Sequence, residues 1–136
     1  MGGAHTNFKG KYPGLLEEAL LSLKSNIPTY FIGAFGGVTK SIIESLLNEK
    51  PLELTEEWQR KANPKYSEFI NYYNKERDVE KIDYFKSIEF LNQYTLEKLC
   101  ENNGLDKDDN IRLFETIHFP EIIYLILKGL KSKFNN

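Results

Sequence analysis

PTYFIGAFGGVTKSIIESLL, residues 28–47, is the stretch on which the fold turns. Tyr30, Phe31 and Ile32 form a run of bulky β-favouring residues without polar alternation, the pattern of a strand covered on both faces. The run ends at Gly33, passes Ala34 and Phe35 to the pair Gly36 and Gly37, and opens into a helix-spaced set, Ile42, Ile43, Leu46 and Leu47. Strand, glycine turn and helix is the order found where an open parallel α/β sheet binds its ligands. Two adjacent glycines let a bound group approach the backbone, and the free N–H groups of a first helical turn favour an anion. Thr39 and Ser41 add hydroxyl donors to that turn. The expectation is a site for a phosphate-bearing ligand on bare amides at the start of this helix.

A strand needs neighbours. Residues 51–55 are a short alternating candidate, but every later segment fits a helix at least as well. The backbone groups of residues 30–32 must still be met. N-terminal strands outside this sequence, a partner chain, or a second copy in a homo-oligomer are the three sources.

Upstream, residues 1–13 hold three glycines, a proline and few apolar residues, and read as loop. Gly2 and Gly3 look like the exit turn of a strand that is not in the sequence. Pro13 opens a helix with Glu17 and Glu18 in its first turn and Leu15, Leu16, Ala19, Leu20 and Leu23 on its apolar face. Downstream the chain is helical. Thr55 is an N-cap, Pro64 starts a helix running to residue 75, and residues 79–93 and 95–102 carry two more. Gly104 ends the last of these, Asp106 caps the next, and residues 121–130 form an almost wholly apolar helix expected to be buried on more than one side. The expected organisation is one domain, incomplete at its N-terminus. Residues 1–50 form a glycine-loop αβα core, 51–102 a helical insertion and 103–136 the C-terminal helices.

Composition narrows the function. With 18 basic and 20 acidic residues the net charge is −2, which offers no field for nucleic acid or an anionic membrane. No run approaches the roughly 20 apolar residues of a membrane span and no signal-peptide pattern opens the chain. The single cysteine, Cys100, makes neither an intrachain disulfide nor a metal cluster, so a cytoplasmic setting fits. Asp106, Asp108 and Asp109 lack the alternating oxygen ligands of a calcium loop and read as caps. Glu17 and Glu18 serve either as paired carboxylates for acid–base work on a glycosidic bond or as stabilisers of a helix start. His5, among the loop glycines, is placed to touch a ligand; His118 reads as a helix-start residue. Lys9, Lys11 and Lys40 are the cations nearest the glycine loops.

The succession Gly2-Gly3, Lys9-Gly10-Lys11-Tyr12-Pro13-Gly14-Leu15-Leu16-Glu17-Glu18-Ala19 and Pro28 to Gly37 resembles the second half of a SLOG domain. That superfamily groups Rossmann-like domains related to DprA proteins and to Lonely Guy phosphoribohydrolases. The similarity is nearest to the nucleotide-sensing branch of melastatin-type TRP channels and bacterial antiviral NAD-depleting systems. Residues 103–130 resemble the end of such domains. The resemblance implies an α/β, partial Rossmann-like three-layer unit, strand-poor, with a mainly helical C-terminal portion. It implies glycine loops that hold the phosphates of an ADP-ribose or NAD-related ligand, carried here by Gly2, Gly3, Gly36 and Gly37, with Thr6 and Glu17 beside them. With Thr39, these are the expected ligand contacts. Pro13-Gly14-Leu15-Leu16 replaces the glycine pairs of the hydrolases, which favours a sensor of a signalling or antiviral effector over catalysis. The alternative is a nucleotide N-glycosidase using Glu17 or Glu18. No metal and no cofactor beyond a nucleotide-type ligand is expected.

Overall fold

The computed structural model describes residues 1–135. The α-helices are α1 (Gly14–Lys24), α2 (Gly37–Leu46), α3 (Glu56–Ala62), α4 (Pro64–Glu76), α5 (Tyr84–Gln93), α6 (Leu96–Asn103), α7 (Lys107–Glu115) and α8 (Phe119–Phe134). Short polar side chains set four of the eight starts. Thr55 accepts from the Trp58 N–H, Asp83 from Lys86, Thr95 from Lys98 and Asp106 from Asp109. Gly104, at φ 75°, ends α6 in the left-handed conformation that glycine adopts without strain.

Two apolar cores form. The larger joins Leu16, Leu20 and Leu23 of α1 to Val38, Ile42 and Leu46 of α2, with Ile70, Leu91 and Leu99 from the later helices. The smaller joins Leu105, Leu113, Ile122 and Leu125. Residues 27–33 run between them. Phe31 packs into the larger core, while Tyr30 and Ile32 pack on the smaller. This alternation is that of an extended chain with helices on both faces, as the apolar run of residues 30–32 demands.

The expected α/β, Rossmann-like unit is nevertheless overturned. Among the described residues there is no β-strand and no sheet, and every regular element is helical. The reason is local. A strand requires a ladder of backbone bonds to a neighbour, and no backbone bond joins residues 30–32 to another described residue. The one alternative candidate, residues 51–55, instead forms a 3₁₀ turn at Leu52–Leu54 that leads into the Thr55 cap.

Two helices also depart from expectation. Residues 79–83 are not helical: Glu80 sits at φ 58°, and the Asn74 side chain holds both the N–H and the C=O of Ile82. α8 is longer than residues 121–130 and buries one face only, through Ile122, Leu125 and Gly129. Ile123, Tyr124 and Leu127 stay more than half exposed.

A tyrosine pair ties the N-terminal loop to the helical middle. The Tyr66 hydroxyl donates to the Lys11 carbonyl and accepts from Tyr84 at 2.9 Å. Burial holds both phenols well above their ordinary range. The folded state therefore keeps protons that the unfolded chain releases near pH 10, so this stabilisation is complete below about pH 10 and is lost above it. Urea unfolding followed from about pH 8 to pH 11 should show stability falling past pH 10, with a shallower fall in Tyr84→Phe; equal slopes would contradict this.

Candidate functional site

The turn after residues 27–33 is closed by the Gly36 N–H donating to the Gly33 carbonyl at 2.9 Å. Gly36 and Gly37 follow at φ 69° and 65°, in the region that side chains disfavour, and α2 begins. At this point the N-terminal loop returns. Val38 N–H donates to the Gly3 carbonyl at 3.0 Å, and Thr39 donates to the Gly2 carbonyl from its N–H at 2.9 Å and from its hydroxyl at 3.0 Å. The two glycine pairs and Thr39, far apart in sequence, thus meet at one helix start.

They meet with a difference from the expected bare amides. The chain's own carbonyls occupy the Val38 and Thr39 N–H groups, and the Gly33 carbonyl occupies that of Gly36, which leaves the Gly37 N–H without a partner among the described residues. The four glycines divide in two. A Cβ on Gly37 would lie 2.2 Å from the Gly3 oxygen, and one on Gly3 would lie 2.6 Å from Leu15 Cδ1. Gly37 is glycine because the Gly2-Gly3 backbone touches it, and Gly3 because the Leu15 side chain packs against it. A Cβ on Gly2 or Gly36 would meet nothing within 4 Å. Those two face open space.

A cavity of about 470 Å³ opens beside the turn, lined by Gly33, Ala34, Gly36, Lys40, Ile43 and Phe114, with Glu44, Glu49 and Glu115 among its other walls. Lys40 lies 3.9 Å from Glu44. Three carboxylates against one ammonium make the cavity wall acidic, while the glycine mouth carries the free amide.

Of the predicted ligand contacts Gly36 lines the cavity, while Gly2, Gly3, Gly37 and Thr39 stand at the helix start beside it without lining it, and the remaining predicted residues are elsewhere. Thr6, half-buried in the loop after Gly3, does not line the cavity, and neither do Glu17 and Glu18 in the first turns of α1. Glu17 instead abuts Gly10, where its Oε2 would be 2.6 Å from an added Cβ. His5 turns to the Ser41 hydroxyl at 3.0 Å, and its carbonyl accepts from Gln59. His118 precedes α8 without a side-chain cap bond. Lys9 is exposed, and Lys11 pairs with Glu80 at 3.6 Å over the Tyr73 ring. Asp106 and Asp109 do act as cap and capped residue, and Asp109 also pairs with Lys128. Among the described residues no cluster of ligands suits a metal, and no helix is long and apolar enough to cross a membrane.

Three buried asparagines escaped the sequence reading. Asn102 accepts from Thr29 N–H at 2.8 Å and donates to Ile27 C=O at 2.9 Å; Asn103 donates to Thr29 C=O at 3.1 Å and to Asn110 Oδ1 at 2.8 Å. They hold the entry to the extended segment and so set where its glycine exit lies. The Asn102-Asn103-Gly104 run reads simply as a helix end, and its only signal is two amides where one cap is needed.

No curated protein and no solved structure matches the chain. The SLOG cluster2 family model does match, over residues 1–113. It takes in both glycine pairs, the helical middle that the resemblance had left unmatched, and most of α7, while α8 lies beyond it. With most of its length covered by that match, the chain belongs to the SLOG cluster2 family.

Proposed function

We propose that this chain is a binding module for a nucleotide-derived ligand of the ADP-ribose or NAD-related kind, whose occupancy controls an associated effector. The observation that carries the reading is the meeting of Gly2-Gly3 and Gly36-Gly37 at the start of α2 beside a cavity of about 470 Å³. Family membership is consistent with a nucleotide-related module. Electrostatics favours one orientation of the guest. The acidic wall formed by Glu44, Glu49 and Glu115 repels phosphate but accepts hydrogen bonds from ribose hydroxyls, the role carboxylates play for dinucleotides. The phosphates then lie at the mouth, against the open faces of Gly2 and Gly36, the Gly37 N–H and Lys40. Glu17 and Glu18, outside this cavity, take no part.

Isothermal titration with ADP-ribose, with adenosine as the phosphate-free control, tests this. Binding should be seen with ADP-ribose and be much weaker with adenosine. Gly36→Asn places a carbonyl in the mouth, at a backbone strain from φ 69° and ψ −149° that a parallel urea titration reads, and among folded molecules it should weaken binding about tenfold or more, a change of ~1.4 kcal/mol. Lys40→Ala should weaken binding less and reduce its salt dependence. No heat with either compound, or unchanged affinity in Gly36→Asn, would overturn the proposal.

A further inference from the structure

The asparagine clamp stops short. It satisfies Ile27 and Thr29, but the N–H and C=O groups of Tyr30, Phe31 and Ile32 have no hydrogen-bond partner among the described residues. This is a short extended segment whose side chains are already built into two cores, with Phe31 only 4% exposed. In an extended chain the backbone groups of successive residues point to opposite edges. Thr29 and Phe31 therefore share the edge that Asn102 and Asn103 partly occupy. Tyr30 and Ile32 share the other, which carries no clamp.

We infer that this second edge pairs with the same segment of a second copy of the chain, as an antiparallel two-stranded ribbon about a two-fold axis at Phe31. In that register Tyr30 and the partner's Ile32 exchange both N–H···O=C bonds, and Ile32 does the same with the partner's Tyr30. The composition of the segment points to a second copy. Anything laid along this edge enters between α1 and α2 on one side and α7 and α8 on the other, so it must be apolar on both faces. Tyr30-Phe31-Ile32 is such a segment.

An independent feature extends the surface. Phe119, Ile123 and Leu127 recur every four residues along α8 and are 56%, 56% and 59% exposed. Phe35, at the exit of the extended segment, lies 5.8 Å from Phe119, which makes the apolar surface continuous from the turn onto α8. A stable interface buries about 1,200–2,000 Å². Three residues of ribbon supply little of that, and the α8 stripe supplies an apolar remainder. A net charge of −2 opposes association only weakly. The ribbon is a contact between copies and leaves each copy all-helical in its own regular elements.

Sedimentation velocity on the full chain, combined with residue-resolved hydrogen exchange, tests the inference. A dimer is expected at micromolar concentration, with the Tyr30 and Ile32 amides protected and losing that protection on dilution. Ile32→Pro keeps an extended backbone but deletes one donor per copy, and should raise the dissociation constant at least about tenfold with helical circular dichroism retained. Ile123→Lys, at an exposed position, should also weaken the dimer without affecting the fold. A monomer with fast-exchanging Tyr30 and Ile32 amides would overturn the proposal, as would a monomer in which they are protected. So would a dimer that Ile32→Pro leaves intact while Ile123→Lys breaks it.

Discussion

Gly37→Ala should destabilise the chain by about 3–5 kcal/mol, well beyond the ordinary cost of a side chain at positive φ. The new Cβ would sit 2.2 Å from the Gly3 oxygen and 2.8 Å from the Gly2 carbonyl carbon, both backbone atoms that no rotamer change can move aside. Relief requires the N-terminal loop to lift off α2, and this strips the acceptors from the Val38 and Thr39 N–H groups. Gly36→Ala is the matched control. Its φ, 69°, is nearly the same as the 65° of Gly37, but its Cβ enters open space. It should cost only its backbone strain, which at φ 69° and ψ −149° is that of a region glycine alone populates, about 1–3 kcal/mol. Urea denaturation of the two variants separates packing from strain, and equal losses would contradict the close approach of the two glycine pairs.

Asn103→Ala should be comparably damaging, at roughly 3–5 kcal/mol, because the side chain is fully buried and its removal orphans three groups at once. They are the Thr29 carbonyl, the Asn110 Oδ1 and the Leu105 N–H, which donates to Asn103 Oδ1 at 3.0 Å. The damage should have a spatial signature. Amide exchange should accelerate at Thr29 and Leu105, whose backbones both meet the Asn103 amide, before it accelerates in α1 or α2. A loss below about 1 kcal/mol, the net value of one ordinary hydrogen bond, would mean that the asparagine cluster does not anchor the extended segment.

Several helix boundaries are legible because a side chain or a glycine writes the start or stop locally. Thr55, Asp106 and Gly104 mark boundaries that hold, because each signal acts within four residues. Residues 79–83 misled because Val79 and Ile82 fit a helical stripe, while the decisive contact, Asn74 on Ile82, depends on how α4 returns past the loop. The run of residues 30–32 carries in its sequence the burial on two faces that the fold has, while the sheet expected around it is absent among the described residues. Burial of alternate residues is visible in composition, but a ladder also needs a neighbour that composition does not show. For the site, the glycine pairs and Thr39 were legible as members of one place. That the Gly2 and Gly3 carbonyls cap the very amides expected to be free was not, since it follows from the path of the N-terminal loop. The acidic wall of Glu44, Glu49 and Glu115 was equally hidden, because it is assembled from α2, the segment after it and α7.

On our proposal the start of α2, where the two glycine pairs meet, receives a nucleotide-derived ligand. An amide-resolved NMR titration of the uniformly ¹⁵N-labelled chain with ADP-ribose examines it most directly. Saturable shifts should concentrate at Gly2, Gly3, Gly36, Gly37 and Lys40, with α4 and α5 unmoved. Spectra that stay unchanged, or shifts that avoid both glycine pairs, would contradict it.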